Sequence, residues 1–288
     1  MKKLVLSNLI FILILTGFYG CSSVPITGRQ QLSLVSDEQV LTLSLQEYND
    51  YIKTAKKSTD KTATALVTTV GGKIADAVAA YYKYTGMESL LSGYAWEFNL
   101  IDDPQVNAFC MPGGKIVVYT GILPITKDEI GLAVVVGHEV AHAIAKHANE
   151  RMSQQMVAQY GAAGLDALMS KSSSAVKTIG QTVYGLGAQY GVMLPYNRKQ
   201  ELEADHLGLV FMAIAGYNPQ AAVPFWERMS QQGSAAPEFM STHPSDNTRI
   251  ETIQQKLPEA MEYYNSIWGN TTNPTTQPKA NTSNEWRF

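Results

Sequence analysis

His138, Glu139 and His142 fall within five consecutive residues, His138-Glu139-Val140-Ala141-His142. On a helix, residues four apart sit one above the other on a single face, so both imidazoles can reach one point in space. Imidazole is a favoured zinc ligand, and the pair can hold one Zn²⁺. Glu139 lies one step round the helix, where its carboxylate can reach a water beside the metal without binding the metal itself. Such a trio can carry out metal-assisted peptide hydrolysis. A solvated helix face with two unrelated histidines would contain the same residues, but the run before them, Leu132 to Gly137, is apolar. A helix that apolar is buried, and its polar residues then need partners.

A catalytic zinc takes a third protein ligand and leaves a fourth position for water. The compact arrangement HExxHxxGxxH does not supply it. Ala145 stands where Gly would be, Ala148 stands where the last His would be, and His147 is one position out of register. Glu150 shares a face with His142 but lies about 12 Å further along the helix, too far to share an ion. The ligand must come from another element, and Glu201-Leu202-Glu203-Ala204-Asp205 offers it. Glu201 and Asp205 share a helix face, whereas Glu203 points nearly the opposite way. One carboxylate can bind zinc while the other accepts the free ring N–H of a ligating histidine and fixes its tautomer. An ordinary acidic helix N-terminus would contain such residues too.

HExxH followed by ExxAD, with Gly137 before the first motif and Arg198 three before the second, resembles metallopeptidase family 48. The resemblance extends from about Val24 to Trp268. It implies that His138, His142 and Glu201 bind one Zn²⁺ per chain and that Glu139 is the catalytic base, which leaves Asp205 as the support behind a ligand. His243-Pro244, with Arg249 six after the His, resembles the late HPxxxxR motif of the family. That implies a catalytic His243 facing the zinc, either steadying an oxyanion or filling the open metal position in a latent state. Asn107-Ala108-Phe109 resembles the edge strand of thermolysin-like zincins, making Asn107 and Ala108 candidates for pairing with an extended substrate; a plain hairpin strand is the alternative. His147 and His206 are read as surface residues or supports behind the ligands, Arg198 as a structural ion-pair partner, and Cys110 as a small buried hydrophobe. The family's prenyl and HtpX-type proteases carry several membrane-spanning helices, which this sequence lacks, so the resemblance is to its soluble periplasmic lipoprotein branch.

The elements that must position these residues are legible in part. Ser36 with Gln39 forms a capping box opening a helix towards Lys56. A second helix spans Thr62 to Tyr82, interrupted at Gly71-Gly72. Ala95 to Leu100 alternates as a half-buried strand, and Asn107–Cys110 and Lys115–Tyr119 flank a Pro112-Gly113-Gly114 turn as a hairpin. Thr126 with Glu129 reads as the cap of the HExxH helix. Glu201 begins another helix that stops near Gly216, Asn218-Pro219 caps the next, and one more follows Ser245. Residues 158–194, rich in Gly, Ala and Ser, are open between loose helices, a lid and a lipid-touching surface. The expected fold is α+β and mostly helical. It is a zincin-type (gluzincin-like) domain over residues 36–268, with a small sheet packed on the HExxH helix.

Composition and termini set the surroundings. The 288 residues can bury one large core or two small ones, and 45% hydrophobic with 16% charged residues describes a globular chain. Lys+Arg 22 against Asp+Glu 25, with no basic cluster, excludes a nucleic-acid footprint. Lys2 and Lys3 precede an apolar run from Leu4 to Phe18 and then Gly20-Cys21, which reads as an export signal over residues 1–20. The small residue before Cys21 resembles the lipobox of bacterial lipoproteins, with Phe18 where Leu is usual. A lipid on Cys21 implies a membrane anchor, with residues 21–35 as a tether and no disulfide to Cys110. Ser22, in place of a retaining Asp, implies the periplasmic face of a bacterial outer membrane. Residues 269–288 read as a disordered tail. The activity implied is zinc endopeptidase action on unfolded or misassembled envelope proteins. The rivals are a zinc-stabilised, chaperone-like lipoprotein with little proteolysis, and an adhesive domain without metal.

Overall fold

The computed structural model describes residues 21–156, 197–232, 239, 243 and 247–269. Strands β1 (Cys21–Ser23) and β2 (Gln30–Leu32) pair antiparallel, with Ser22 opposite Gln31. The stretch expected to be a tether therefore folds back on the domain, and Val24 and Val35 are buried. Its polar composition hid this. The docking comes from Arg29, whose guanidinium pairs with Glu150 and Glu203, far away in sequence.

Helix α1 (Asp37–Thr54) starts at Ser36, whose hydroxyl accepts the Gln39 N–H while the Gln39 side chain accepts the Ser36 N–H, the expected capping box. Helix α2 (Lys61–Tyr84) runs unbroken through Gly71-Gly72, where an interruption was expected. Gly71 serves packing: a Cβ there would lie 2.2 Å from Cδ1 of Phe98.

Strands β3 (Glu97–Ile101), β4 (Ala108–Met111) and β5 (Lys115–Tyr119) form a sheet in the order β3-β5-β4. β5 runs parallel to β3 with Phe98 opposite Ile116, and antiparallel to β4 with Phe109 opposite Val117, so β4 is an edge. Side chains alternate across a strand. Leu100, Ala108, Cys110, Ile116 and Val118 accordingly join the large core under α2, and Phe109, Met111, Val117 and Tyr119 join a second core under α1.

Helix α3 (Glu129–Ile144) carries HExxH. Thr126 does not cap it, as the sequence suggested. It ends a short helical turn, Leu123–Thr126, with its hydroxyl on the Leu123 carbonyl. Lys127, at φ 68°, breaks the chain, and Asp128 caps α3 by accepting the Gly131 N–H at 2.8 Å. Every residue from Gly131 to Ile144 is buried, as an all-round apolar helix requires. Residues 147–156 form helix α4, set off from α3 by Lys146 at φ 56°.

Helix α5 (Arg198–Ile214) begins ahead of Glu201, capped by Asn197 in a box with Gln200. Asn218 caps the turn Pro219–Ala221, α6 (Ala222–Gln231) follows, and α7 (Asn247–Trp268) closes the described chain. The expected segments 1–20, 158–194 and 270–288 lie outside the described residues. Among the described residues no helix is long and apolar enough to cross a membrane.

α3 and α5 meet at Gly137 and Gly208. A Cβ on Gly137 would lie 3.0 Å from the Gly208 carbonyl oxygen, and one on Gly208 3.0 Å from the His138 nitrogen. Glycine inside a helix costs about 1 kcal/mol relative to alanine. Here two glycines let the backbones touch, which brings the HExxH and ExxAD segments within side-chain reach of each other.

Candidate active site

The face of α3 that meets α5 presents His138 and His142 with their Nε2 atoms 3.0 Å apart. From the first turn of α5, Glu201 places Oε1 3.3 Å from His142 Nε2 and Oε2 3.5 Å from His138 Nε2. His243 brings Nδ1 to 3.2 Å from His138 Nε2 and 3.1 Å from Glu201 Oε1. Its ring stacks on Phe239 at a centroid distance of 4.6 Å, and its backbone N–H donates to the Phe239 carbonyl. Donor atoms from all four residues lie within 4.8 Å of one another, and all four residues are buried.

These residues fit a zinc ion. Zinc–nitrogen bonds of about 2.0–2.1 Å in a tetrahedron separate neighbouring donors by about 3.3 Å. Here the contacts of Glu201 with the three histidines, and of His138 with His142 and His243, run from 3.0 to 3.5 Å, and the whole set lies within 4.8 Å. The hydrogen-bond partners agree, and in the metal-free centre burial lowers the His138 pKa but the Asp205 and Glu201 carboxylates outweigh it and raise it. Asp205 takes the Nδ1 side of His138 at 2.9 Å, which leaves the Nε2 lone pair aimed at the other donors. Two such lone pairs 3.0 Å apart repel unless a cation or proton lies between them. Glu201 Oε2 is buried without a hydrogen bond. Burial alone would raise the Glu201 pKa, but His243, His138 and His142 outweigh it and hold the carboxyl well below its usual range. Burial drives His142 the other way, well below the usual histidine value, so its imidazole is neutral. Neutral imidazoles and an ionised carboxylate are the forms that bind metal.

Behind His138 stands a fork. Arg249 donates from Nε to Asp205 Oδ2 at 2.7 Å and from Nη2 to Oδ1 at 2.8 Å. Its guanidinium lies 3.4 Å from the centroid of the Trp226 ring, and Nη1 is 3.2 Å from Glu201 Oε2. Burial opposes ionisation of Asp205, but Arg249 and His138 prevail and lower its pKa. Beside the donors, Glu139 is 1% exposed, and its Oε1 makes no hydrogen bond while lying 3.4 Å from His243 Nε2. Burial pushes its carboxyl up to about 7, with Glu201 adding to the rise and His243 and Arg249 opposing it. A carboxyl poised near neutrality suits a general base. Strand β4 runs alongside: burial raises the Cys110 thiol, and the charge of Glu139 adds to the effect.

The structure thus brings together His138, Glu139, His142, Glu201, Asp205 and His243. Asn107 and Ala108 lie at the start of the edge strand, where the Ala108 N–H donates to the Asn107 side-chain oxygen at 2.9 Å and Ala108 is buried. His206 stands apart, paired with Glu259. His147 is buried against His142 and is no surface residue. Sequence reasoning noted Arg249 only as part of a motif and missed Trp226 and Arg29 altogether. An arginine at fixed distance from a motif histidine was a usable signal for the first; a lone tryptophan and an arginine in a polar stretch carried none.

Comparisons with known proteins agree with this centre. Residues 73–257 match the model of peptidase family M48. The mitochondrial metalloendopeptidase OMA1 of Schizosaccharomyces pombe is 38% identical over 188 residues, covering 62% of this chain and 53% of that protein. OMA1 of Saccharomyces cerevisiae is 31% identical over 265 residues, 86% of this chain and 74% of the relative. The beta-barrel assembly-enhancing protease of Escherichia coli (strain K12) is 29% identical over 168 residues, 56% of this chain and 34% of that one. The chain therefore spans about half the length of the fission-yeast relative and a third of the E. coli one. These names overturn the expected placement at a bacterial outer membrane, since the yeast, Arabidopsis thaliana and human relatives are named as mitochondrial enzymes. The leader pattern behind that placement is short and compositional, whereas these matches extend through the catalytic motifs.

Proposed function

Because this chain belongs to peptidase family M48, we propose that it is a zinc-dependent metalloendopeptidase with His138, His142 and Glu201 as metal ligands and Glu139 as the general base. One observation carries the reading: four buried donor atoms within 4.8 Å of one another beside a buried carboxylate with an unused oxygen. Zinc held there supplies Lewis acidity, polarising a carbonyl and lowering the pKa of water. Glu139 takes the proton from the attacking water and delivers it to the leaving amine. Asp205, fixed by Arg249, keeps His138 in the tautomer whose Nε2 is free to bind. His243, 3.2 Å from His138 Nε2 and 3.4 Å from Glu139 Oε1, would either add a ligand to zinc held there or donate to a developing oxyanion.

The substrates of this reading are unfolded or misassembled polypeptides. An edge strand beside the base supports it, because pairing with main-chain groups selects extended chains and reads little sequence. The names of the beta-barrel assembly-enhancing proteases fit the same direction. Since Ala108 is buried, the edge must be uncovered before a substrate can pair with it. A zinc-stabilised binding protein is the second reading, favoured by His243 in the fourth position, since four protein ligands are the mark of a structural zinc.

Digestion of casein decides between them. The wild type cleaves and loses activity to chelator, while Glu139→Gln keeps its zinc and loses at least about a hundredfold in rate. Wild-type cleavage by Glu139→Gln would remove Glu139 as the base. Zinc without cleavage, in both the wild type and His243→Ala, would establish the binding protein instead.

A further inference from the structure

The two histidines of the motif are held differently. His138 meets Asp205 directly, whereas His142 Nδ1 lies 2.8 Å from Nδ1 of a second histidine, His147. His147 Nε2 in turn lies 2.9 Å from Glu203 Oε2. One arrangement of protons serves every atom. With Nε2 of His142 facing the other donors, its Nδ1–H donates to His147 Nδ1, and His147 Nε2–H donates to the Glu203 carboxylate. An unbroken helix would carry His147 away from His142, five residues being well over a full turn. The break at Lys146, φ 56°, makes the approach possible.

Glu203 is itself clamped, from the other end of the chain. Arg29 donates from Nε to Glu203 Oε2 at 2.6 Å, and the Thr27 hydroxyl donates to Oε1. The same guanidinium forks onto Glu150 at 2.9 and 2.8 Å, and Gln200 donates to Glu150 Oε2 at 2.7 Å. Thr27 and Arg29 lie in the loop joining β1 to β2, which passes through left-handed conformations at Ile26 (φ 71°) and Gly28 (φ 67°). That conformation is costly for a β-branched residue and persists only where surrounding contacts impose it.

We propose that His147 and Glu203 are positioning residues for His142, and that the loop carrying Thr27 and Arg29 completes the metal centre. The inference rests on the zinc reading of the site. Each motif histidine then has an arginine-clamped carboxylate behind it: Arg249–Asp205 for His138, and Arg29–Glu203 acting through His147 for His142. The three acids of Glu201-Leu202-Glu203-Ala204-Asp205 divide the work, one facing the metal position and two holding its histidines. The β1–β2 hairpin becomes part of the active centre, so an event that lifts it would loosen metal binding.

Zinc affinity by chelator competition and the visible spectrum of the Co²⁺-substituted full chain test this. His147→Phe, which fills the space without accepting a hydrogen bond, should lose about 10- to 100-fold in affinity and shift the cobalt bands. His147→Gln, which can accept from His142 and donate to Glu203, should recover most of both. Arg29→Met, remote from His142, should weaken zinc about three- to tenfold, because it supports the ligand one step further out. It carries the test alone if His147→Phe does not fold. Wild-type affinity and cobalt spectra in both His147→Phe and Arg29→Met, or in Arg29→Met where it alone folds, would overturn the proposal. A wild-type chain that binds no zinc would overturn the underlying reading instead.

Discussion

At the scale of single residues, the centre is a contest between burial and partners, and the same physics makes its pH behaviour testable. Glu139 is buried with one oxygen unused, so its carboxyl titrates near 7 instead of near 4.5. Between those values the folded metal-free chain holds a proton that the unfolded chain has lost. The stabilisation from that proton is complete below about 4.5 and disappears as pH rises through 7. Asp205 has the opposite sign. Arg249 and His138 keep it ionised below its unfolded value of 3.8, so its contribution is present above that value and is lost as pH falls further. Burial of neutral His142 has the opposite effect over the same range, adding stability as pH rises to its unfolded value of 6.5. The Glu139 contribution is therefore read as the difference in urea midpoint between the metal-free wild type and Glu139→Gln, which should change between 4.5 and 7 while the acid limb stays in place. An unchanged neutral limb in that variant would show that burial does not hold the Glu139 proton.

Elements set how closely those residues can stand. α3 and α5 touch through Gly137 and Gly208, and a methyl group at either meets backbone at 3.0 Å. Backbone cannot swing aside as a side chain can, so Gly208→Ala should part the helices, costing about 1–3 kcal/mol in stability and weakening zinc as His138 and Glu201 separate. Gly72→Ala is the control. It sits in α2 with nothing within 4 Å of a new Cβ, and should gain up to about 1 kcal/mol from the unfolded chain's lost freedom. Denaturant titration of both variants reads the contrast, and equal effects would mean that the glycine contact does not govern the crossing.

For the whole molecule, the metal position ties together segments far apart in the chain: α3, the first turn of α5 and the segment at His243. An ion bound to the folded form and not to the unfolded one stabilises by mass action, about 2.7 kcal/mol at a hundred times its Kd. Stripping zinc with chelator should lower the thermal midpoint by about 5–10 °C for a domain of this size. Re-addition of zinc should restore it. No change in the midpoint would mean that the four donors do not hold zinc in the folded protein.

Much of this was legible before any fold. HExxH needs only one helix to align its residues, the Ser36–Gln39 box and the 112–114 turn are complete within a few residues, and the β4–β5 hairpin is written in alternation around that turn. Short-range geometry dictates these features, so the sequence by itself determined that one helix could present two metal-binding imidazoles beside a carboxylate. The start of α3 was misread. Asp128, and not Thr126, caps α3, because Lys127 turns left-handed between them. Other features depend on contacts between residues more than fifty positions apart, which packing alone decides. Residues 21–35 look like a polar tether until Glu150 and Glu203 are in place to receive Arg29. Glu203 points away from Glu201, as its spacing says, yet only the tertiary structure puts His147 there to meet it. The sequence specified which atoms could hold a metal; the touching of α3 and α5 and the return of the N-terminal hairpin decided how they are held.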